Sequence, residues 1–276
     1  MNIITNLLKN RFRWFYLAIM FIFYTSENLW IELKSVFRWL RIGNKDYRKI
    51  EALKNRYEGK RCFIIATGPS LRMEDLEALK DEVTFGMNSI CMLYDRTDWR
   101  ATYMGVQDLA VYEKVKLFLD KYCAGEVLIS DFICKDKARK REWILFPYNG
   151  RYHAYDERFR NKFWARFSSD CHRIVYDGFT ITYSLIQIAC YMGFKEIYLL
   201  WADCNYQEGK KNHFIEHGIQ LHHDTYLHAQ DKLFSGYRKV KEYADARGIK
   251  VYNATRGGML EIFPRVDFDS VLSQEG

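Results

Sequence analysis

Short apolar runs alternate with amphipathic stretches from residue 61 onward. The runs that have the length and composition of buried strands are 62–67, 83–88, 102–108, 126–132, 196–201 and 250–255. The stretches with helical spacing of apolar residues are 110–121, 179–192 and 229–247, with Gly193 and Gly248 at two of the predicted helix ends. This alternation predicts an α/β fold with a doubly wound, mostly parallel sheet that is covered on both faces.

The first residues follow a different pattern. Residues 1–55 are apolar, aromatic and basic, and their longest apolar run, 14–24, is shorter than the roughly 20 residues of a membrane-spanning helix. Further on, apolar side chains recur at helical spacing, at Leu29, Trp30, Leu33, Val36, Phe37 and Leu40. We therefore expect an N-terminal amphipathic helical segment that binds a membrane surface, or else packs on the main domain or forms a homo-oligomer contact. A true membrane span is the remaining alternative.

Composition and charge narrow the classes of function. Residues 1–60 hold 12 Lys/Arg and 5 Asp/Glu, whereas residues 61–276 hold 30 of each, so the whole net charge of +7 belongs to the N-terminal segment. A neutral main domain argues against nucleic-acid binding. The 7 cysteines are an odd number without a CxxC pair, which favours a reducing, cytoplasmic compartment. We expect the catalytic domain to cover 56–276, with an irregular insertion around 133–176.

Polar residues follow several predicted strands. In a doubly wound sheet ligands bind outside the carboxyl ends of the strands, so these positions are candidate ligand contacts. They are Thr67, Gly68, Pro69, Ser70, Asn88, Ser89, Gln107, Asp108, Asp203, Asn205, Tyr206, Asn253 and Thr255. Gly178 and Thr180 open the predicted helix 179–192, whose free N–H groups could hold an anion, although simple capping by Asp177 explains the same pattern.

Five of the 7 histidines fall within residues 213–228. No HExxH motif and no recognised zinc spacing accompanies them, so we expect neither a metal site nor a cofactor there. A histidine general base is the better interpretation, because the pKa of histidine lies near neutral pH.

Four motifs together resemble a known family. They are GPSL at 68–71, Asn88 at the end of the second strand, the segment 178–206 and the segment 249–268. Their order resembles the Rossmann-like family that contains 6-hydroxymethylpterin pyrophosphokinase-like enzymes and motility-associated flagellin glycosyltransferases. The chain also resembles, more distantly, the bacterial CMP-sialic-acid-dependent sialyltransferases.

The resemblance implies roles for individual residues. Gly68, Pro69, Ser70 and Asn88 would contact a donor nucleotide, and Gly178 and Thr180 would lie near its phosphate and sugar. Asp203 and Tyr206 would line the cytidine-phosphate end, and Asp108, at the end of another strand, joins the nucleotide-binding set. The catalytic base of the sialyltransferases would correspond to His228, or to His223 as the next candidate.

The expected function is therefore a metal-independent glycosyltransferase of surface-polysaccharide or glycoconjugate assembly. It would use a CMP-activated sugar donor and a glycan or lipid-linked acceptor, at the inner face of the cell membrane. One alternative is a pterin-type pyrophosphokinase that uses ATP and Mg²⁺, for which Asp108 and Asp203 could hold the metal. Another is a non-catalytic nucleotide-sugar-binding subunit of a glycan-assembly complex.

Overall fold

A seven-stranded parallel sheet forms the centre of the protein, as seen in a computed structural model that describes residues 12–122, 126–133, 143–205 and 227–273. The strands of this sheet are β1 (Arg61–Ile65), β2 (Thr84–Met87), β3 (Tyr103–Val106), β4 (Glu126–Ser130), β5 (Ile144–Phe146), β8 (Glu196–Leu200) and β9 (Lys250–Asn253). Their spatial order is β5-β4-β3-β2-β1-β8-β9, and every neighbouring pair is parallel. Two shorter strands, β6 (Tyr148–Asn149) and β7 (Val175–Tyr176), pair separately.

Eight α-helices are described around these strands. They are α1 (Arg13–Trp39), α2 (Arg48–Glu51), α3 (Met73–Glu77), α4 (Leu109–Tyr122), α5 (Ala154–Arg160), α6 (Ile181–Tyr191), α7 (Ala229–Asp245) and α8 (Phe268–Ser273). Two 3₁₀ segments, Lys45–Tyr47 and Asn88–Leu93, join them. The predicted elements from residue 61 onward are present within one to three residues at each end, and Gly193 and Gly248 end their helices in the left-handed conformation.

Two apolar layers cover the two faces of the sheet. Successive residues of β1 alternate between them, because side chains point to opposite faces along a strand. Cys62 and Ile64 join the layer formed with α2, α6 and α7, whereas Phe63 and Ile65 join the layer formed with α3, α4 and α8. The fold is thus the Rossmann-like, doubly wound α/β fold that the sequence predicted.

The structure differs from the expected irregular insertion over residues 143–176. This segment contains β5, β6, α5 and β7, and β5 forms one edge of the main sheet beside β4. Strand β5 has only three residues and stops at Pro147, so it was too short to produce a recognisable strand pattern.

The N-terminal segment forms one helix of 27 residues, α1, which packs against the domain. From Glu27 onward its inward side is mostly polar. Glu27 lies 2.9 Å from the Arg151 guanidinium, Glu32 lies 3.2 Å from that of Arg166, and Arg38 donates to a backbone carbonyl at 2.7 Å. None of the helices in the described ranges has the length and apolarity that a membrane crossing requires.

The outward side of α1 is apolar. Its exposed side chains, which we call the apolar face of α1, include Trp14, Phe15, Ile19, Ile22, Phe23, Leu29, Trp30, Leu33, Val36, Phe37 and Trp39. This is the reverse of the usual arrangement, in which a surface helix turns its apolar stripe towards the core. The positions that helical spacing identified in the sequence, such as Leu29 and Leu33, therefore lie on the exposed side.

Candidate functional site: two cavities at the carboxyl edge of the sheet

Strand β1 lies at the topological switch point of the sheet. The chain proceeds from β1 to β2 on one side and returns to β8 on the other, and ligands bind in the crevice where strand order reverses in this way. A cavity opens there, which we call the switch-point cleft. It is lined by Ala66–Pro69, Met87–Asn88, Thr180–Thr182 and Trp201–Asn205, together with Leu233 and Tyr237 of α7. The described residues enclose about 60 Å³ in this cleft.

Gly68 lies where the loop after β1 touches the loop after β8. A Cβ atom at this position would be 1.8 Å from the Oδ2 atom of Asp203 and 2.3 Å from the carbonyl oxygen of Trp201. The Ser70 hydroxyl donates to the same Oδ2 atom at 2.9 Å. The loop after β1 and the loop after β8 are therefore fixed against each other, and only glycine allows this close approach.

The environment of Asp203 changes the acidity of its carboxyl group. Burial raises the pKa of Asp203, and the hydrogen bonds from the side chain and backbone of Ser70 oppose that rise. Its neighbours Trp201 and Cys204 have φ angles of 54° and 51°, in the left-handed region that non-glycine residues seldom occupy. Strained backbone of this kind concentrates at functional sites, which makes this loop a candidate for one.

Asn88 ends β2 at the opposite wall of the cleft. Its φ angle is 51°, a conformation that asparagine tolerates better than most residues. Its side-chain amide has no hydrogen-bond partner within the described part of the chain. A donor and an acceptor group thus remain available to a ligand in the cleft.

Residues 177–180 bring the start of α6 to the cleft. The Thr180 hydroxyl accepts from the N–H of Thr182 at 3.3 Å and caps the helix, so the cap is Thr180 and not Asp177. Asp177 accepts instead from the N–H of Phe179 at 3.1 Å. Gly178 allows the ring of Tyr183 to approach, since a Cβ atom there would lie 2.3 Å from it.

His153 contacts this turn, although no sequence pattern indicated a role for it. Its Nε2 atom lies 3.2 Å from the Asp177 carboxylate, and its Nδ1 atom lies 3.2 Å from the carbonyl oxygen of Trp164. The buried ring also stacks on Phe179 at 4.4 Å, and Phe179 has a φ angle of 68°. His153 therefore holds a strained turn in place. A lone histidine in a segment expected to be irregular could not have been recognised.

The candidate general base His228 lies outside the lining of the cleft. His228 immediately precedes α7 and packs its ring on Phe163 at 5.3 Å, while its Nδ1 atom lies 4.0 Å from the Asp231 carboxylate. The cleft is lined from α7 by Leu233 and Tyr237, about one and two turns further along. His223 and Tyr206, the other predicted site residues of this region, lie outside the described residues.

A second and larger cavity lies beside the cleft, between α1 and the carboxyl ends of β3, β4 and β5. Its volume is about 570 Å³, within the range of small-molecule sites. We call it the α1 cavity. Its lining includes Glu27, Trp30, Lys34, Arg38, Asp46, Tyr47, Gln107, Asp108, Asp131, Phe132, Tyr148 and Arg151.

Asp108 lies in the α1 cavity, apart from the other predicted nucleotide-binding residues. Its Oδ1 atom accepts from the N–H of Val111 at 3.0 Å, so Asp108 also caps α4. Deeper in the cavity, the Tyr47 hydroxyl and the N–H of Tyr148 donate to Asp131 at 2.8 and 2.9 Å. Burial raises the pKa of Asp131 despite these hydrogen bonds, which oppose the rise.

Gln107 links the α1 cavity to the start of α6. It lines the α1 cavity, and its Oε1 atom accepts from the Ser184 hydroxyl of α6 at 2.7 Å. Its Nε2 atom lies 3.5 Å from the carboxylate of Asp177, which supports the turn at the cleft. The α1 cavity could not be predicted from the sequence, because α1, β5 and Asp131 come together only in the tertiary fold.

Within the described ranges, no group of three or more His, Cys, Asp or Glu side chains is arranged to hold a metal ion.

Solved structures of other proteins are similar to this chain in fold. The chain is similar to the MAf glycosyltransferase from Magnetospirillum magneticum AMB-1, with 15% identity and a TM-score of 0.50 over 79% of this chain. It spans 35% of that longer protein. It is also similar to the sialyltransferase CstII from Campylobacter jejuni in complex with CMP-3FNeuAc, with 15% identity, a TM-score of 0.47, and coverage of 75% of this chain and 86% of that one. No family model and no curated protein matches the sequence.

Proposed function

We propose that the protein is a glycosyltransferase that moves a sugar from a nucleotide-activated donor, with CMP as the nucleotide, to a glycan acceptor. The observation that carries this proposal is the switch-point cleft. There, the loops after β1, β2 and β8 meet the N-terminal end of α6. The positive end of a helix dipole favours phosphate, and the Asn88 side-chain amide, which has no hydrogen-bond partner among the described residues, suits the polar edge of a base or ribose.

In this proposal the donor and the acceptor bind at separate cavities. The donor nucleotide would contact Gly68, Pro69, Ser70, Asn88 and the Gly178–Thr180 turn. Only part of it would enter the switch-point cleft, because the roughly 60 Å³ that the described residues enclose is less than the roughly 300 to 1,000 Å³ of a site that holds a whole small molecule. The acceptor would enter the α1 cavity, whose exposed Trp30 and Phe132 rings and paired charges suit a neutral, hydroxyl-rich ligand. Strands β2 and β3, which carry the adjoining walls, are neighbours in the sheet, and neighbouring strands lie about 4.8 Å apart.

The chemistry that fits this arrangement needs a base and a stabilised leaving group. A histidine, His228 or His223, would remove the proton from the acceptor hydroxyl as the donor phosphate departs. The positive end of the α6 dipole and hydroxyl groups, including that of Tyr206, would stabilise the charge on the phosphate. We propose this reaction as metal-independent and place it in the cytoplasm, at the inner face of the cell membrane.

Nucleotide binding to the full chain tests the proposal directly. CMP, UDP, GDP and ATP are compared by thermal shift, because a ligand that binds the folded state raises its melting temperature by mass action. We expect CMP to give the largest shift and Asn88→Ala to abolish it. Asn161→Ala is the matched control, since Asn161 is exposed and has a φ angle of 49°, close to the 51° of Asn88.

Two results would contradict the proposal. One is the absence of a shift with every nucleotide, and the other is equal loss of the CMP shift in both asparagine variants. Turnover is then assayed as CMP release from a CMP-sugar in the presence of acceptor glycans. Binding without release would favour the non-catalytic subunit.

A further inference from the structure

We infer that the apolar face of α1 docks the protein onto an anionic lipid surface, with the helix lying flat in the headgroup region. The face is long as well as apolar. With a rise of about 1.5 Å and a turn of about 100° per residue, Phe15 and Phe37 lie about 33 Å apart along one exposed side of the helix. Trp30 lies between them, and tryptophan favours the interface between lipid and water.

The charges around this face favour anionic lipid as its binding partner. Both acidic residues of α1, Glu27 and Glu32, point towards the domain and are neutralised there by arginine guanidinium groups. The exposed charged residues of α1 itself are basic, namely Arg13 and Lys34. Basic residues next to a bilayer contribute about 1 kcal/mol each to binding of anionic lipid. A second copy of the chain would instead bring the same positive charges together.

Docking in this orientation also brings the α1 cavity next to the membrane surface. Trp30 and Lys34 line the cavity and belong to the exposed side of the helix, so the cavity opens beside the lipid headgroups. The acceptor is then a glycan carried on a membrane lipid. This last step rests on the proposed glycosyl transfer, whereas the docking itself does not.

Vesicle flotation of the full chain tests the docking without any donor or acceptor. We expect binding to vesicles of phosphatidylcholine mixed with phosphatidylglycerol, at least about tenfold weaker binding to pure phosphatidylcholine, and weakening by salt. The double variant Leu29→Gln/Leu33→Gln changes two leucines that are 62% and 44% exposed. It should bind at least about tenfold less well, because interfacial burial of two leucines is lost.

A matched control is available on another helix. Leu109→Gln/Leu117→Gln makes the same two changes at leucines of α4 that are 46% and 72% exposed. This control should bind vesicles like the native protein, and circular dichroism should show that both double variants fold. Vesicles that contain brominated phosphatidylcholine should quench tryptophan fluorescence in the native protein, and Trp30→Phe should reduce that quenching.

Any of three results would overturn the inference. The first is a native chain that does not bind the anionic vesicles, and the second is equal vesicle binding by the two leucine double variants. The third is a native dimer that does not bind vesicles and that Leu29→Gln/Leu33→Gln converts to a monomer. Failure of nucleotide binding or transfer, with vesicle binding intact, would count against the proposed function alone.

Discussion

Gly68 shows how strongly one residue can be constrained at this site. A methyl group there would overlap the Asp203 carboxylate and the Trp201 carbonyl group, so the two loops would have to separate. We expect Gly68→Ala to lower the free energy of unfolding by about 1 to 3 kcal/mol, as overpacking does, and to remove the thermal shift with CMP. Urea titration measures the first effect. Ser70→Ala, which only removes a hydroxyl group from the same loop, should cost about 1 kcal/mol. Native behaviour of Gly68→Ala would show that the loops can move apart freely.

Asp131 should make stability depend on pH. Burial raises the pKa of its carboxyl group in the folded protein, so the folded state binds this proton more tightly than the unfolded chain does. Its stabilising contribution is therefore complete below the unfolded pKa of about 3.9 and is lost as the pH rises through the higher folded pKa. The Asp131→Asn variant has no carboxyl group at this position to ionise. As the pH rises over this range, the free energy of unfolding should therefore fall less in this variant than in the native protein.

Denaturant titrations from about pH 4 to neutrality measure this difference. Asp81→Asn, a change at an exposed aspartate outside both cavities, controls for the substitution itself. Parallel pH profiles of the native protein and Asp131→Asn would contradict the prediction.

His228 has a surface position that suits either a helix start or a base. If it takes the acceptor proton, His228→Ala should reduce kcat by about 10² to 10⁴ and leave donor binding unchanged. Steady-state kinetics with CMP-sugar release gives both quantities. Native turnover in His228→Ala together with loss in His223→Ala would move the role to His223. Native turnover in both would exclude a histidine base of this set.

Individual strand-end residues could be predicted from the sequence, but which of them line the same cavity could not. Gly68, Asn88 and Asp203 were recognised because a polar residue or a glycine directly follows an apolar run, and the structure places all three at the cleft. The same reasoning grouped Asp108 with them, although it lies in the α1 cavity. Sequence spacing identifies the edge of a sheet but does not show which crevice along that edge a residue enters.

Helix α1 shows the same limit for a whole element. Its spacing predicted an amphipathic helix, which is present, but spacing alone could not show which side would face the domain. The polar side faces inward because the domain presents charged and polar groups there, such as Arg166 and Tyr176, which pair with Glu32. The apolar positions were consequently left exposed.

The domain should fold without α1. Neither apolar layer of the sheet draws residues from 12–43, and the ion pairs that α1 makes are partly exposed and contribute little. A chain that starts at residue 44 should keep its far-UV circular dichroism and cooperative unfolding. It should also lose its binding to anionic vesicles. Unfolding of this shortened chain would show that α1 is part of the core.

The position of the two cavities along one edge of the sheet leads to a prediction for the protein as a whole. The switch-point cleft and the α1 cavity have different linings, so their substrates should respond to different substitutions. Phe132→Ala removes an exposed ring from the α1 cavity and should raise the acceptor KM about threefold to tenfold, as loss of aromatic contact does. The donor KM should be unchanged. Asn88→Ala should have the opposite effect, and Leu117→Ala, at an exposed apolar residue elsewhere, should change neither. Two-substrate kinetics separates these constants. A rise in the donor KM with Phe132→Ala, at a constant acceptor KM, would show that the α1 cavity does not hold the acceptor.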